Sequence, residues 1–294
     1  MSSTFSQKTA VITGATSGIG RAAAGQLASL GWYVIGIGRS QERCDSAQSQ
    51  IQAVSPGGLG SYIIADLSEQ SEVRAAADQV GDILDQTGIN GLDALLNNAG
   101  AFYFWLDLTS DGFEKQWATN HLAPFLLTHL LLPHLKAAPS ARVVMTSSMS
   151  HYRTTLKWDD IQLRRKYNGM RAYQQTKLAN VLFTAEFNRR VGGTVKAFAA
   201  DPGLVDTGIG SKSDALLARW FWNWRRRKGI SAEESARGLV FLASEPSIQN
   251  SSEIYWKHSM PKAPKPYALD PENAKRLWAL SEKMCGVSFG TYAG

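Results

Sequence analysis

Tyr173 and Lys177 stand four residues apart in a stretch, Ala172–Arg190, whose pattern predicts a helix, so their side chains project from one face and can meet. A phenol with an ordinary pKa of about 10 is a poor base near neutrality. An ammonium one turn away favours the phenolate and draws that value toward the working range, which makes the pair a proton-exchange device. Such pairs arise often by chance, so the meaning of this one depends on where the fold places it. Ser148 follows a predicted strand, Arg142–Thr146, and its hydroxyl can donate to an oxygen that gains charge, such as a carbonyl becoming an alkoxide. On residue type alone, Ser147 competes for that role.

A second constellation lies near the start of the chain. Thr13-Gly14-Ala15-Thr16-Ser17-Gly18-Ile19-Gly20 joins a β-branched run, Thr9–Ile12, to a helical pattern over Ile19–Leu30. Glycines at such a turn let the backbone approach a pyrophosphate, and the helix N-terminus offers it unpaired N–H groups. Gly14, Thr16, Ser17, Gly18, Ile19 and Gly20 are therefore expected to cradle a dinucleotide. Arg39 and Ser40 follow the second predicted strand, where a carboxylate would select a free ribose and an arginine a 2′-phosphate. This points to NADP(H) over NAD(H), against the alternative of a solvated surface arginine. Asp66 and Leu67 after the third strand are placed to meet the adenine, and Asn98, Ala99 and Gly100 after the fourth to line the floor.

Elements that could position these groups alternate along the chain. Strand-like segments at Thr9–Ile12, Trp32–Ile37, Tyr62–Ala65, Leu92–Leu96, Arg142–Thr146, Val195–Ala199 and Ile254–Trp256 are separated by helical patterns. The helical patterns run over Ile19–Leu30, Gln41–Val54, Glu69–Gln86, Gln116–Leu135, Ala172–Arg190 and Ser231–Ala243. Apolar strands divided by helices imply an α/β fold, a doubly wound parallel sheet of Rossmann type with helices on both faces. A single domain over 1–294 is expected, with a variable segment at about 207–230 and a C-terminal extension at about 258–294. In that extension Met260–Pro266 reads as a surface connector before a last helix, Pro271–Met284.

Composition sets outer limits. With 44% hydrophobic and 19% charged residues the chain can bury a large core. Two cysteines, Cys44 and Cys285, form neither a disulfide framework nor a ligand cluster and suit a reducing, cytoplasmic setting. No metal site is expected, since His121, His129 and His134 lack a recognisable ligand spacing. Met1–Gln7 is polar and leads into no signal-like run. Gln116–Leu135 is long enough to span a bilayer but holds three histidines, two prolines and Asn120, so a buried helix is the better reading. The net charge of +6 is concentrated at Arg164–Lys166 and Arg225–Lys228. Nucleic-acid binding through these patches would need steep salt dependence, and no motif supports it.

Taken together, Thr13–Gly20, Asn97-Asn98-Ala99-Gly100, Asn120, Ser148, Tyr173-Gln174-Gln175-Thr176-Lys177 and Pro202-Gly203 resemble the short-chain dehydrogenase/reductase family, in the family's order. The stretch AYQQTKLANVLF from Ala172 to Phe183, the 24 residues Met149–Ala172 between Ser148 and Tyr173, and the tail Ala274–Trp278 are similar to its retinol dehydrogenase-like branch. Light-dependent protochlorophyllide reductases share the long spacing and resemble Glu186–Arg190, but no cysteine lies near Tyr173. The resemblance implies hydride transfer between nicotinamide and a carbonyl or alcohol. In it Tyr173 is the acid/base and Lys177 also holds the nicotinamide ribose. Ser148 polarises the carbonyl, and Asn120 serves a proton-supplying water, with a hydrogen-bonded core amide as the alternative. Pro202, Gly203 and Thr207 would clasp the cofactor. Helices around Asn120 and Tyr173 form dimer faces in many members, which makes a homodimer the analogous expectation.

Phe102-Tyr103-Phe104-Trp105, His151 and Tyr152, and four aromatics in Leu216–Trp224 suggest an aromatic cleft for a bulky apolar substrate such as a retinoid, steroid or lipid aldehyde. Core packing is the competing reading for the Phe102 run. Residues 216–228, rich in Trp and Arg, fit a lid, a helix lying on a membrane surface, or a solvated face. Two other functions remain in play: reduction of a conjugated C=C bond, and NADP(H) binding without turnover. The joint presence of Ser148, Tyr173 and Lys177 argues against the latter.

Overall fold

The computed structural model describes residues 7–193, 195–203 and 230–290. Strands β1 (Thr9–Thr13), β2 (Tyr33–Gly38), β3 (Ser61–Ile64), β4 (Ala94–Asn97), β5 (Ala141–Thr146), β6 (Val195–Asp201), β7 (Tyr255–Lys257) and β8 (Met260–Pro261) form one sheet. Its order is β3-β2-β1-β4-β5-β6-β7-β8. All neighbours are parallel except β7 and β8. The strand order reverses between β1 and β4, which opens a crevice at the carboxyl ends of those strands.

Helices α1 (Gly18–Ser29), α2 (Gln41–Val54), α3 (Gln70–Thr87), α7 (Gly169–Arg190) and α8 (Ala232–Ser244) connect or follow these strands. Side chains alternate across the pleat, so each strand feeds two cores. Val11, Ile35, Leu95, Val143 and Ala197 join Leu84 of α3 and Leu178 of α7 on one face. Ala10, Ile12, Val34, Leu96, Val144 and Phe198 join Leu27 of α1 and Leu239 of α8 on the other. Both faces are covered, as the near-continuous apolar strands require.

The segment read as one helix over Gln116–Leu135 is helical but broken. It runs as α4 (Lys115–Trp117), a π-turn (Ala118–Leu122), α5 (Ala123–Leu130) and α6 (Leu132–Ala137). Its two prolines supply a physical reason. Pro124 has no N–H for the carbonyl of Asn120, and Pro133 none for that of His129, and each ring crowds the same carbonyl. The wider turn at Ala118–Leu122 accommodates the first of these, with Ala123 N–H reaching back five residues to Ala118.

The C-terminal extension does more than the sequence suggests. Beyond β8, α9 (Pro271–Cys285) packs on α7. Trp278 stacks on Phe183 with ring centroids 5.4 Å apart and meets Phe125 edge-on at 5.2 Å. Some of the surface that α5 and α7 would offer a second copy thus carries the chain's own last helix. Among the described residues, no helix is long and apolar enough to cross a membrane.

Candidate active site

The carboxyl edge of β1 and β4 is built first. Thr13, the last residue of β1, accepts at Oγ1 from the backbone N–H groups of Asn98 and Ala99, both at 2.9 Å. Asn98 Nδ2 returns a bond to Thr13 O at 3.0 Å. Asn97 points the other way, donating to Thr128 Oγ1 at 3.0 Å inside the core. The adjacent asparagines thus have separate tasks, one fastening β4 to α5 and the other closing the floor between β1 and β4.

This closeness dictates glycine. A Cβ on Gly20 would lie 2.4 Å from Gly14 O and 2.5 Å from Asn98 Nδ2, and Gly14 itself has φ +67°. Ser17 precedes α1 with no side-chain cap, and the first turn of α1 holds no acidic residue, so its N–H groups face the loop without a protein anion. By contrast α7, α8 and α9 are capped by Asn168, Ser231 and Asp270, and the uncapped α2 and α3 carry Glu42 and Glu72 in their first turns. Glycine-lined backbone and an uncapped N-terminus fit a pyrophosphate. Arg39 is exposed after β2, with Ser40 at the start of α2. After β3, Asp66 Oδ1 accepts from Ser68 N–H and Oγ, and Leu67 is buried. Gly14, Thr16, Ser17, Gly18, Ile19, Gly20, Arg39, Ser40, Asp66, Leu67, Asn98, Ala99 and Gly100 therefore all sit on the loops after β1 to β4 or the helix starts they lead into. These residues fit a dinucleotide.

The second half gathers after β5 and β6. Ser147 and Ser148 are separated by their surroundings. Ser147 is 1% exposed and donates its hydroxyl to Lys177 O at 2.8 Å. Ser148 is half-buried and heads a short 3-10 helix, Met149–Arg153, accepting at Oγ from Ser150 N–H at 3.2 Å. Lys177 is 3% exposed, with Nζ donating to Thr146 O at 3.1 Å and lying 5.4 Å from the Tyr173 ring centroid. Burial pushes its ammonium down to about 8. A Cβ on Gly100 would stand 3.6 Å from both Asn120 Oδ1 and Lys177 Nζ, so the loop after β4 reaches this cluster.

Asn120, in the π-turn, uses its amide as a bracket. Oδ1 accepts from Ala101 N–H at 2.7 Å, while Nδ2 donates to Ala101 O at 2.9 Å and to Thr176 Oγ1 at 3.3 Å. After β6, Pro202 O accepts from Ser235, and Gly203, at φ +81°, donates to Asp201 Oδ1 at 3.0 Å. Thr207, the segment at about 207–230 up to Gly229, and the Trp/Arg-rich residues 216–228 lie outside the described residues.

The expected aromatic cleft is reproduced only in part. Phe102 is buried, 5.9 Å from the Tyr173 ring and 4.8 Å from Phe104, whereas Trp105 is 79% exposed. His151 does not line an open cleft, as the sequence suggested; it is fully buried beneath the C-terminal extension. Of the two basic patches, Arg165 is paired with Asp159 and Asp160. Among the described residues, no three His, Cys, Asp or Glu side chains could hold a metal ion. The sequence offered Ser147 only as a rival donor and Thr13 only as part of the glycine turn, although a hydroxyl at the end of a strand beside the first glycine was a usable signal for a support.

Residues 8–216 match the family model described as short chain dehydrogenase. Retinol dehydrogenase 14 of Mus musculus is 35% identical over 292 residues, covering 95% of this chain and 86% of the mouse protein. Among solved structures, a protein of Mycobacterium paratuberculosis is 35% identical with a TM-score of 0.75, covering 97% of this chain and 96% of the other. A short chain dehydrogenase from Burkholderia cenocepacia in complex with NADP is 26% identical with a TM-score of 0.67, covering 86% and 96%. With the glycine cradle, the Ser148 loop and the Tyr173–Lys177 helix turn in place, the chain belongs to the short-chain dehydrogenases.

Proposed function

We propose that the chain is an NADP(H)-dependent oxidoreductase, a single catalytic domain acting on the carbonyl or alcohol of a bulky apolar molecule. The observation that carries this reading is the lashing of the Ser148 loop to the helix turn that bears Lys177, through Ser147 Oγ to Lys177 O and Lys177 Nζ to Thr146 O. It sets a hydroxyl donor, a phenol and a buried cation at one sheet edge beside a phosphate-accepting crevice. When bound there, the cofactor supplies or accepts the hydride. Ser148 donates to the substrate oxygen, Tyr173 gives it a proton in reduction and takes one in oxidation, and Lys177 favours the phenolate. With its amide held by Ala101 and Thr176, Asn120 contributes to proton supply through the carbonyl that Pro124 leaves without an α-helical partner. Pro202, Gly203 and Thr207 close over the cofactor.

Phe102 beside Tyr173 gives the substrate side an apolar wall. Retinol, the alcohol in the mouse relative's name, belongs to the class proposed. Cys44 and Cys285, both buried and free, suit the cytoplasm. Turnover of graded aldehydes and ketones with NADPH deuterated at its transferable position is expected to place deuterium on a carbinol carbon. Deuterium on the saturated carbon β to an intact carbonyl would assign the reaction to C=C reduction instead.

The cofactor preference rests on Arg39. Arg39→Asp is expected to weaken NADPH binding about 10- to 100-fold, the loss of one charge-assisted bond, and to favour NADH. Fluorescence titration with both cofactors checks this, and unchanged NADPH affinity would return Arg39 to the solvated surface.

A further inference from the structure

His151 sits three residues after Ser148, fully buried, with both ring nitrogens engaged. Nδ1 lies 2.7 Å from Ser148 O, and Nε2 lies 3.2 Å from Lys265 N. A backbone N–H can only donate, so Nε2 is the acceptor and the proton resides on Nδ1, which donates to the Ser148 carbonyl. That carbonyl also accepts from His151 N–H at 3.1 Å. One residue thus grips the backbone of Ser148 twice.

Two tyrosine rings, themselves 6.1 Å apart, pack against the imidazole. It lies 4.0 Å from the Tyr152 ring and 4.7 Å from the Tyr255 ring, and Tyr255 donates to Asp201 Oδ2 at 3.0 Å. Asp201 in turn holds Gly203 N–H, so the cluster reaches the loop after β6. Behind His151 runs the strap from β8 to Pro266. Tyr152 donates to Ala263 O, and Lys265 Nζ to Thr154 O. Burial holds the imidazole below its ordinary range, in keeping with an acceptor at Nε2.

We infer that His151 is a positioning residue: its Nδ1–H fixes the Ser148 carbonyl, and so aims the Ser148 hydroxyl at the substrate oxygen, while Nε2 anchors the loop to the C-terminal strap. This rests on the role proposed for Ser148. A side chain rotates about a backbone, and releasing that backbone by about 1 Å can cost about 100-fold in rate without touching the cofactor site.

Two amides separate the two bonds. Asn places its Nδ2 where Nδ1 stands, whereas Gln reaches the Nε2 position and can accept from Lys265. His151→Ala is expected to lower kcat about 10- to 100-fold with KM for NADPH within about two-fold. His151→Asn restores kcat to within about three-fold of wild type, and His151→Gln retains the melting temperature but not kcat. Nitrogen-15 NMR of the wild-type imidazole shows the Nδ1–H tautomer at neutral pH. Unchanged kcat in His151→Ala overturns the inference, as does rescue by Gln equal to that by Asn, or a proton on Nε2. Should the Ala variant fail to fold, the Asn and Gln pair decides between the same alternatives. An inactive Ser148→Ala beside an active His151→Ala sinks this inference alone. A fully active Ser148→Ala sinks the reading of the site as well.

Discussion

Tyr173→Phe is expected to lower turnover about 10²- to 10⁴-fold, the range for removing a positioned acid/base, while the protein folds and binds NADPH with affinity within about two-fold of wild type. The separation follows from the surroundings of the ring. Tyr173 is half-buried, packed 5.9 Å from Phe102, with Lys177 Nζ 5.4 Å from its centroid. Phenylalanine keeps the ring and its packing and removes only the oxygen. The phosphate cradle is built by Thr13, Gly14, Gly20 and Asn98, none of which depends on that oxygen. Steady-state rates in both directions beside a fluorescence titration measure the two quantities. Turnover within ten-fold of wild type would remove Tyr173 from the chemistry, and a parallel collapse of NADPH affinity would make it a cofactor contact instead.

Much of this arrangement was legible in the chain, because it is written in local rules. Gln41–Val54 is a helix with the limits its pattern predicts, and β1 to β7 each lie within two residues of the expected runs. Apolar runs of three to six residues between helical periods leave few alternatives to a parallel sheet. What sequence could not supply was contact between distant segments. Ser147 and Ser148 are chemically identical, and only the packing of β5 against α7 uses up one hydroxyl on Lys177 O. His151 read as a cleft residue because aromatic neighbours suggest a pocket. Its burial depends on a strap more than 100 residues later, whose Pro-rich stretch reads locally as a plain connector. The break at Asn120 was within reach. Pro124 four residues on was visible, yet the apolar run was read as one helix.

Lys177→Met is expected to have opposite effects on stability and activity. The ammonium is 3% exposed, and burial brings it from 10.5 down to about 8. Between those two values the unfolded chain binds more protons than the folded one, so the stability of the wild type rises with pH there. Below about 8 the full cost of holding the buried charge is present; above 10.5 it is gone. Methionine has a similar stem and no charge. Thr146 O, which loses Lys177, still accepts from Asn180 Nδ2 at 3.1 Å, so no carbonyl is orphaned. The cofactor-free variant should therefore be more stable than wild type at neutral pH by up to about 3 kcal/mol, a gain that fades as pH approaches 10.5. Turnover should fall about 10²- to 10⁴-fold, because the phenolate loses its cation. Saturating NADPH should narrow or reverse the stability difference, since a ligand held more tightly by the wild type stabilises it more. Urea unfolding across this pH range, with and without NADPH, tests each part. A methionine variant less stable at neutral pH without cofactor would mean that Lys177 is kept for the fold, and its place beside Tyr173 would need another explanation.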